Sequence, residues 1–357
     1  MSSAIIDNEL YLANKNAKAV TIAVINYNGA PIVGLCLESI LKCSYPNLRV
    51  IVIDNASTDS SLNILEKIAK KDSRVKIIKN KKNIQYAKAC NLALITSNSE
   101  YVAILNSDTI VEPNWLEPII EFFQKDNTVC ICQPKIRIFR YNNDKIIKTR
   151  ILDSAGVFLS RIGFLVAIGH QEVDMGQYNA LSEVFSVKGA AMVLDRYKVL
   201  KIGGFDEDFI AWNEEADLCW RVWLSGYKVA YVPASLVYHF GSFSYKSGGL
   251  EARRIRLRLG VKNYIAMWMK NLQLKSASVM IIGIIILLIG SLLVLFKDRR
   301  SGIAMFSGVV DIFRVMKKIL SKRSIIQKNR KISDNEIFQR FATTKNLREF
   351  IAALKNL

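Results

Sequence analysis

Several features are missing from this chain of 357 residues, and each absence narrows what it does. No Gly-x-Gly-x-x-Gly follows its first apolar strand, which sets aside a nicotinamide-dependent dehydrogenase. Its six cysteines, Cys36, Cys43, Cys90, Cys130, Cys132 and Cys219, form no Cys-x-x-Cys or zinc-like pair and mostly sit in apolar runs, so they read as buried reduced thiols. Residues 1–18 are polar and hold no apolar leader segment, so the folded part of the chain is expected in the cytoplasm. No internal repeat or low-complexity tract is present. Acidic residues are in deficit, 31 against 50 Lys and Arg, and the net charge of +19 asks for an anionic partner.

The surplus is concentrated around one apolar span. Arg253, Arg254, Arg256, Arg258 and Lys262 precede it; Lys297, Arg299, Arg300, Arg314, Lys317, Lys318, Lys322 and Arg323 follow it, whereas few basic residues neighbour the acidic run near residue 215. The span, Ala277 to Phe296, carries no charge. At ~1.5 Å per residue it is long enough for a bilayer core, predicting a transmembrane or re-entrant helix rather than a buried core helix. Basic flanks on both sides conflict with a single crossing under the positive-inside rule, so an in-plane helix or re-entrant hairpin competes. Gly302 to Val315 reads as an interfacial amphipathic helix. This pattern fits anionic lipid headgroups; nucleic-acid binding would instead interleave basic and aromatic residues on one face.

From Thr21 onward, short β-branched runs alternate with helical patterns: Thr21–Asn26, Arg49–Asp54, Val75–Lys79 and Tyr101–Leu105 as strands, with helices between. That order predicts an α/β fold with a mostly parallel sheet, whose ligands bind beyond the carboxyl ends of the strands. From Val129 to about Val193 periodicity is poor, and only a mixed β region is expected. Helices are expected from Asp195 to Gly203 and from Asn213 to Ser225, followed by a strand from Lys228 to Phe240. The organisation expected is a tail (1–18), two halves of a catalytic domain (19–135 and 136–250), a membrane-associated helical segment (251–330) and a helical tail (331–357).

Polar residues gather at the strand ends. Asn26-Tyr27-Asn28 and Asp54-Asn55 place an aromatic face and hydrogen-bonding groups where a nucleoside would sit, although Asp-Asn-x-Ser-x-Asp also makes a good strand-to-helix turn. Asp108, in Asn106-Ser107-Asp108, offers oxygen ligands for magnesium or manganese. Glu214, Glu215 and Asp217 open a helix whose dipole should keep them ionised, as a general base requires. Asp217 and Arg221, four apart, suit a structural ion pair. His239, at the end of an apolar strand, would ligate the ion or donate to a diphosphate.

Taken in order, Val24-Ile25-Asn26-Tyr27-Asn28-Gly29, Val52-Ile53-Asp54-Asn55-Ala56-Ser57-Thr58-Asp59, Leu105-Asn106-Ser107-Asp108, Lys188-Gly189-Ala190-Ala191, Gly203-Gly204-Phe205-Asp206-Glu207 and the Glu214–Arg221 run resemble the glycosyltransferase family 2 enzymes, in particular a rhamnosyltransferase-like branch. The resemblance covers about residues 20–245. It implies a GT-A fold, Rossmann-like and mostly parallel, followed by C-terminal membrane-associated helices. It also implies inverting transfer from a UDP- or dTDP-linked sugar, assisted by Mg2+ or Mn2+. By this resemblance Asn26, Tyr27, Asn28, Asp54, Asn83, Asn106 and Asp108 contact the donor, Asp108 and His239 hold the metal, and Glu215 is the base with Glu214 as fallback. Gly189, Ala190 and Trp212 border the acceptor. The sequence departs from the family at Gln85, where glycine often follows Asn-x, and at Asn106, where the first Asp of the metal motif usually stands. No Gln-x-x-Arg-Trp follows the acidic helix, so addition of one sugar is expected rather than polymerisation. The expected partners are the nucleotide-sugar, a lipid-linked or glycan acceptor and the membrane, with the catalytic domain facing the cytoplasm; the competing expectation is a non-catalytic membrane-attached binding protein.

Overall fold

A computed structural model describes residues 17–142, 145–241 and 249–343; most of the expected N-terminal tail and the end of the C-terminal tail lie outside the described residues. Strands β1 (Val20–Asn26), β2 (Leu48–Asp54), β3 (Val75–Lys79) and β4 (Tyr101–Asn106) run parallel in the spatial order β3-β2-β1-β4. The near-continuous apolar sequence of β1, β2 and β4 follows from burial on both faces, whereas the edge strand β3 is only partly buried. Val20, Ile22 and Val24 pack on helices α1 (Ala30–Leu41), α2 (Ser61–Ala69) and, further along the sheet, α4 (Glu117–Lys125). Ala23 and Ile25 join the opposite layer, where α3 (Tyr86–Thr96) contributes the small side chains Ala87, Ala89, Cys90 and Ala93. All six cysteines are free and buried.

The region of poor periodicity is largely sheet. β5 (Thr109–Val111) is short, whereas β6 (Val129–Asn142) has 14 residues, the first eight buried whatever their parity. It pairs antiparallel with β7 (Lys145–Ser154) through two register shifts. Burial of both faces and these bulges erase the period of two. β8 (Val157–Ser160) and β9 (Leu165–Ala167) form a small separate sheet, β10 (Ser182–Glu183) is an edge, and β11 (Ala191–Asp195) inserts antiparallel between β4 and β6. Two helices follow, α5 (Arg196–Lys201) and α6 (Glu214–Leu224), then β12 (Lys228–His239), parallel to β6.

Next comes a bundle of α7 (Gly249–Asn271), α8 (Ala277–Lys297) and α9 (Arg299–Lys328), ending in α10 (Asp334–Phe341) and β13 (Ala342–Thr343), which pairs with β8. The expected short helix at 302–315 is thus part of one 30-residue helix. Asp298 makes the α8–α9 turn, its Oδ1 accepting from the backbone N–H of Arg300 (3.1 Å) and Ser301 (3.3 Å). Close approach is secured by glycine: a Cβ on Gly283 would lie 2.5 Å from the Trp268 ring, and one on Gly308 would lie 2.4 Å from the carbonyl oxygen of Arg258.

Candidate active site

The ends of β1, β2 and β4, the start of α6, the end of β12 and the first turns of α7 surround a cleft of about 1100 Å³. On the β1–β2 side, the turn is tied together internally. Asn26 Nδ2 donates to Asp54 Oδ1 (2.9 Å) and Ser57 Oγ (3.1 Å), and Asp54 accepts from Ser57 N and Oγ. Asn28, at φ 52°, donates its backbone N–H to Ser57 Oγ and accepts from Thr58 N. Asn26, Asn28 and Asp54 therefore stabilise the turn and do not line the cleft; Tyr27 and Asn55 do. Asn55 is oriented by Asn80, whose Nδ2 donates to its Oδ1 at 2.8 Å. Asn83 lines the cleft and accepts from Gln85 N. Gln85 itself sits at φ 74°, ψ 165°, a region that only glycine adopts without strain.

Asp108 lies in the β4–β5 turn, with Asn106 and Ser107 beside it on the cleft wall. Its Oδ1 is 3.2 Å from His239 Nε2, and His239 Nδ1 is 2.8 Å from Asp153 Oδ2. Asp153, at the end of β7, also meets Lys188 Nζ at 2.5 Å and has His170 Nδ1 3.5 Å away, so both histidines of the chain converge on it. Burial opposes charge on His239, yet the flanking Asp108 and Asp153 carboxylates push its pKa up to about 9. Burial likewise opposes ionisation of Asp153 and Asp108, but His170, His239 and Lys188 hold the first, and His239 the second, below the usual carboxylate range. From sequence, Asp153 and His170 carry no assigned role and Lys188 enters only as part of the Lys188-Gly189-Ala190-Ala191 motif; that the chain has only two histidines is the available signal.

Glu214 and Glu215 both line the cleft. Burial works against the helix dipole at both residues. Burial, then for Glu214 the neighbouring Glu215, raises both pKa values, Glu214 most, and Glu214 Oε2 has no hydrogen-bond partner. A dipole contribution of ~0.3–1 kcal/mol is smaller than the cost of burying a carboxylate. Glu215 is the more easily ionised, because its carboxylate accepts from the Gly189 N–H and has Lys188 nearby. Tyr86 Oη donates to the Gly189 carbonyl (2.8 Å), fixing the segment that brings Gly189 and Ala190 to the cleft.

Asp217 is not in the cleft. Fully buried, it accepts from Arg221 Nε (2.9 Å) and Asn271 Nδ2 (2.9 Å) and meets Lys270 Nζ (2.9 Å). Lys270 and Lys322 both pair with Asp206, and Lys322 and Lys318 with Asp208. The acidic run, which seemed short of basic neighbours, receives them from α7 and α9. Trp212, 40% exposed, borders the cleft on a loop whose Ile210, Trp212 and Asn213 all have positive φ.

A mixed α/β sheet with a parallel core, and a cleft beyond its strand ends holding an Asp–His pair and paired glutamates, is GT-A-like. The same fold is found in GalNAc-T7 solved with UDP, GalNAc and Mn2+ (TM-score 0.58, 17% identity, 72% of this chain and 48% of that one). It is also found in the mannosyltransferase PcManGT of Pyrobaculum calidifontis solved with GDP-Man and Mn2+ (TM-score 0.53, 16% identity, 88% and 87%). The family model "Glycosyl transferase family 2" matches residues 21–173 and "Glycosyl transferase family group 2" matches residues 101–308. The chain belongs to the family 2 glycosyltransferases. Relatives include an uncharacterized glycosyltransferase of Haemophilus influenzae, 35% identical over 32% of this chain and 36% of that one. Another is the poly-beta-1,6-N-acetyl-D-glucosamine synthase of Staphylococcus aureus, 25% identical over 68% of this chain and 54% of that one. The chain thus spans about a third to a half of the length of these two relatives.

Proposed function

We propose that this chain is an inverting, non-processive glycosyltransferase that moves one hexosyl or rhamnosyl unit from a UDP- or dTDP-linked sugar to a hydroxyl of a membrane-linked glycan, polyprenyl-linked or at the cell surface. The cleft faces the cytoplasm. The supporting observation is that Glu215 and the Asp108–His239 pair share one cleft. Tyr27 and Asn55 receive the nucleoside, and Gly189, Ala190 and Trp212 border the acceptor.

A divalent cation fits this donor set. Asp108 Oδ1 and His239 Nε2 converge to 3.2 Å on the cleft wall; the carboxylate suits Mn2+ or Mg2+, and the imidazole, which would first give up the proton it shares with Asp108, suits Mn2+ better than Mg2+. Among the described residues no cluster of three or more His, Cys, Asp or Glu has metal-binding geometry, which fits a cation held by one or two side chains with the donor's phosphates completing its shell. When bound, such an ion offsets charge on the leaving diphosphate. Asp153 holds His239 by Nδ1, leaving Nε2 directed at Asp108. Glu215 takes the proton of the acceptor hydroxyl as that oxygen bonds to the anomeric carbon from the face opposite the leaving group. The bond to the diphosphate oxygen breaks, and its electron pair leaves with the nucleoside diphosphate. A carboxyl whose pKa is raised toward neutrality is a stronger base for this step than an ordinary one.

The test is Glu215→Gln in detergent-solubilised protein, reading nucleoside diphosphate release from a panel of nucleotide-sugars with a membrane-lipid extract as acceptor. Turnover should fall about 10²–10⁴-fold, the usual contribution of general-base catalysis, while calorimetric donor affinity is kept. Turnover retained by the variant would remove Glu215 from the base role.

A further inference from the structure

One long apolar face remains uncovered on the helical bundle. On α8, Ile281, Ile285, Ile289, Leu292 and Phe296 recur at helical spacing and are 49–83% exposed. On α9, Ile303, Phe306, Val310 and Phe313 extend that face, 47–73% exposed. We propose that this face lies in the plane of an anionic membrane leaflet, so that α8 and α9 form an in-plane anchor and α8 does not cross the bilayer. The inference rests on the packing of the bundle and stands whether or not the chain transfers sugar.

The packing of α8 argues first. Leu274–Lys297 is the one segment among the described residues long and apolar enough to cross a membrane. Near its start, however, α8 is flush with the catalytic half: Gly283 packs on the Trp268 ring, whose Nε1 donates to the Gly163 carbonyl at 2.8 Å. Near its end, Ser291 and Leu295 share a groove with Arg258 of α7. Helix α7 is itself tied to the catalytic half, with Ala252 and Arg256 in the cleft wall, Val261 to Asn271 largely buried, and Lys270 on Asp217. A perpendicular α8 would carry α7, its arginines and the cleft to bilayer depth, where charged groups and irregular backbone are costly. A tangential α8 immerses only its apolar face, as interfacial helices do.

Charge argues second. Exposed Lys275 stands just before α8, and Lys297, Arg299 and Arg300, also exposed, stand at its far end. A crossing would separate these two basic ends across the membrane, whereas an in-plane helix sets both at one layer of acidic headgroups. The groove between α8 and α9, about 520 Å³, has apolar walls from Leu295, Ile303, Phe306 and Val310 and carries Arg258 and Arg314, which share Asp311 (2.6 and 2.7 Å) and leave one net positive charge beside an apolar floor, a lining suited to an acyl chain beneath an anionic headgroup.

The test uses the full chain in sealed vesicles rich in phosphatidylglycerol, with Leu274→Cys and Lys297→Cys probed one at a time by a membrane-impermeant maleimide; the native cysteines are buried. Both positions should label from the side that bears the catalytic domain and neither from the other side. Labelling from opposite sides would overturn the proposal in favour of a crossing. In flotation, wild type should bind these vesicles more tightly than neutral ones, and Ile285→Glu should weaken binding about tenfold or more by placing a charge on the buried face. No vesicle binding by wild type, or a stable dimer that Ile285→Glu disperses, would overturn it as well, assigning the face to a second copy. Donor turnover measured in detergent reports separately on the proposed activity.

Discussion

Asn263, on α7, is expected to hold the acceptor side of the cleft in shape. Its Nδ2 lies 3.0, 2.8 and 2.7 Å from the carbonyl oxygens of Phe209, Ala211 and Trp212, sharing two N–H groups among three acceptors. The loop it grips is strained. Ile210 sits at φ 67°, ψ −69°, with Ala211 N–H donating to the Phe209 carbonyl at 2.7 Å, a γ-turn of the rare hand centred on a β-branched residue. Trp212 and Asn213 follow at φ 65° and 66°. Each such residue costs ~1–3 kcal/mol and persists only where its surroundings enforce it. In Asn263→Ala the Ala211 and Trp212 carbonyls lose the Asn263 donor, at ~1–3 kcal/mol for each that stays buried, while the Phe209 carbonyl keeps the Ala211 N–H, and relaxation of the loop returns part of that sum. The net stability loss should be ~2–3 kcal/mol by urea denaturation, with the relaxed loop shifting Trp212 and the start of α6. Displacements of this kind lower transfer about 10²-fold, while the donor side, built from β1, β2 and β4, keeps its affinity. Asn263→Asp should be worse than alanine, since it aims a carboxylate at three carbonyl oxygens. Transfer unchanged in a variant that has lost the expected stability would refute the positioning role.

Two more outcomes follow from the site. Because burial raises the pKa of Glu215 above 4.5, its basic form is lost as pH falls through that raised value, so the acid limb of the rate profile of transfer should lie above 4.5; a limb at or below 4.5 would contradict the burial argument. Gln85→Gly should raise stability by about 1 kcal/mol, the relief of strain at φ 74° exceeding glycine's larger chain entropy, as read by thermal unfolding; a lowered Tm would show that the Gln85 side chain holds the turn.

The parallel core was legible because its strands are apolar on both faces and end abruptly in polar residues, as at Asn26, Asp54 and Asn106. Which of two adjacent polar residues lines the cleft was not. Asp54 has the stronger acceptor, yet the Ser57 and Asn26 bonds consume it and leave Asn55 on the cleft, an outcome set by the pleat and the turn. Asp153 was hidden for another reason: its partner His239 is 86 residues away, and the bulged β6–β7 pair that positions it has no clean period. Local charge counting misjudged the acidic run because Lys270 and Lys322 approach it from 64 and 116 residues beyond Asp206. The apolar helix was recognisable from hydropathy alone, whereas its packing depends on Gly283 and Gly308, whose meaning appears only once Trp268 and Arg258 are beside them.

The lysines of α7 and α9 bear on how this chain can be divided. Asp206 and Asp217 have side chains 6% and 0% exposed, and Lys270, itself 1% exposed, serves both. Without these helices Asp206 loses both of its cations, whereas Asp217 keeps Arg221; a buried carboxylate stripped of its cation costs ~3–5 kcal/mol, a large part of the ~5–15 kcal/mol stability of an ordinary domain. The helices that carry the apolar face are therefore not a detachable tether. A version cut before α7 would discard both counter-charges of Asp206, and any exchange of these helices for others would have to supply replacements for Lys270 and Lys322 in the same step.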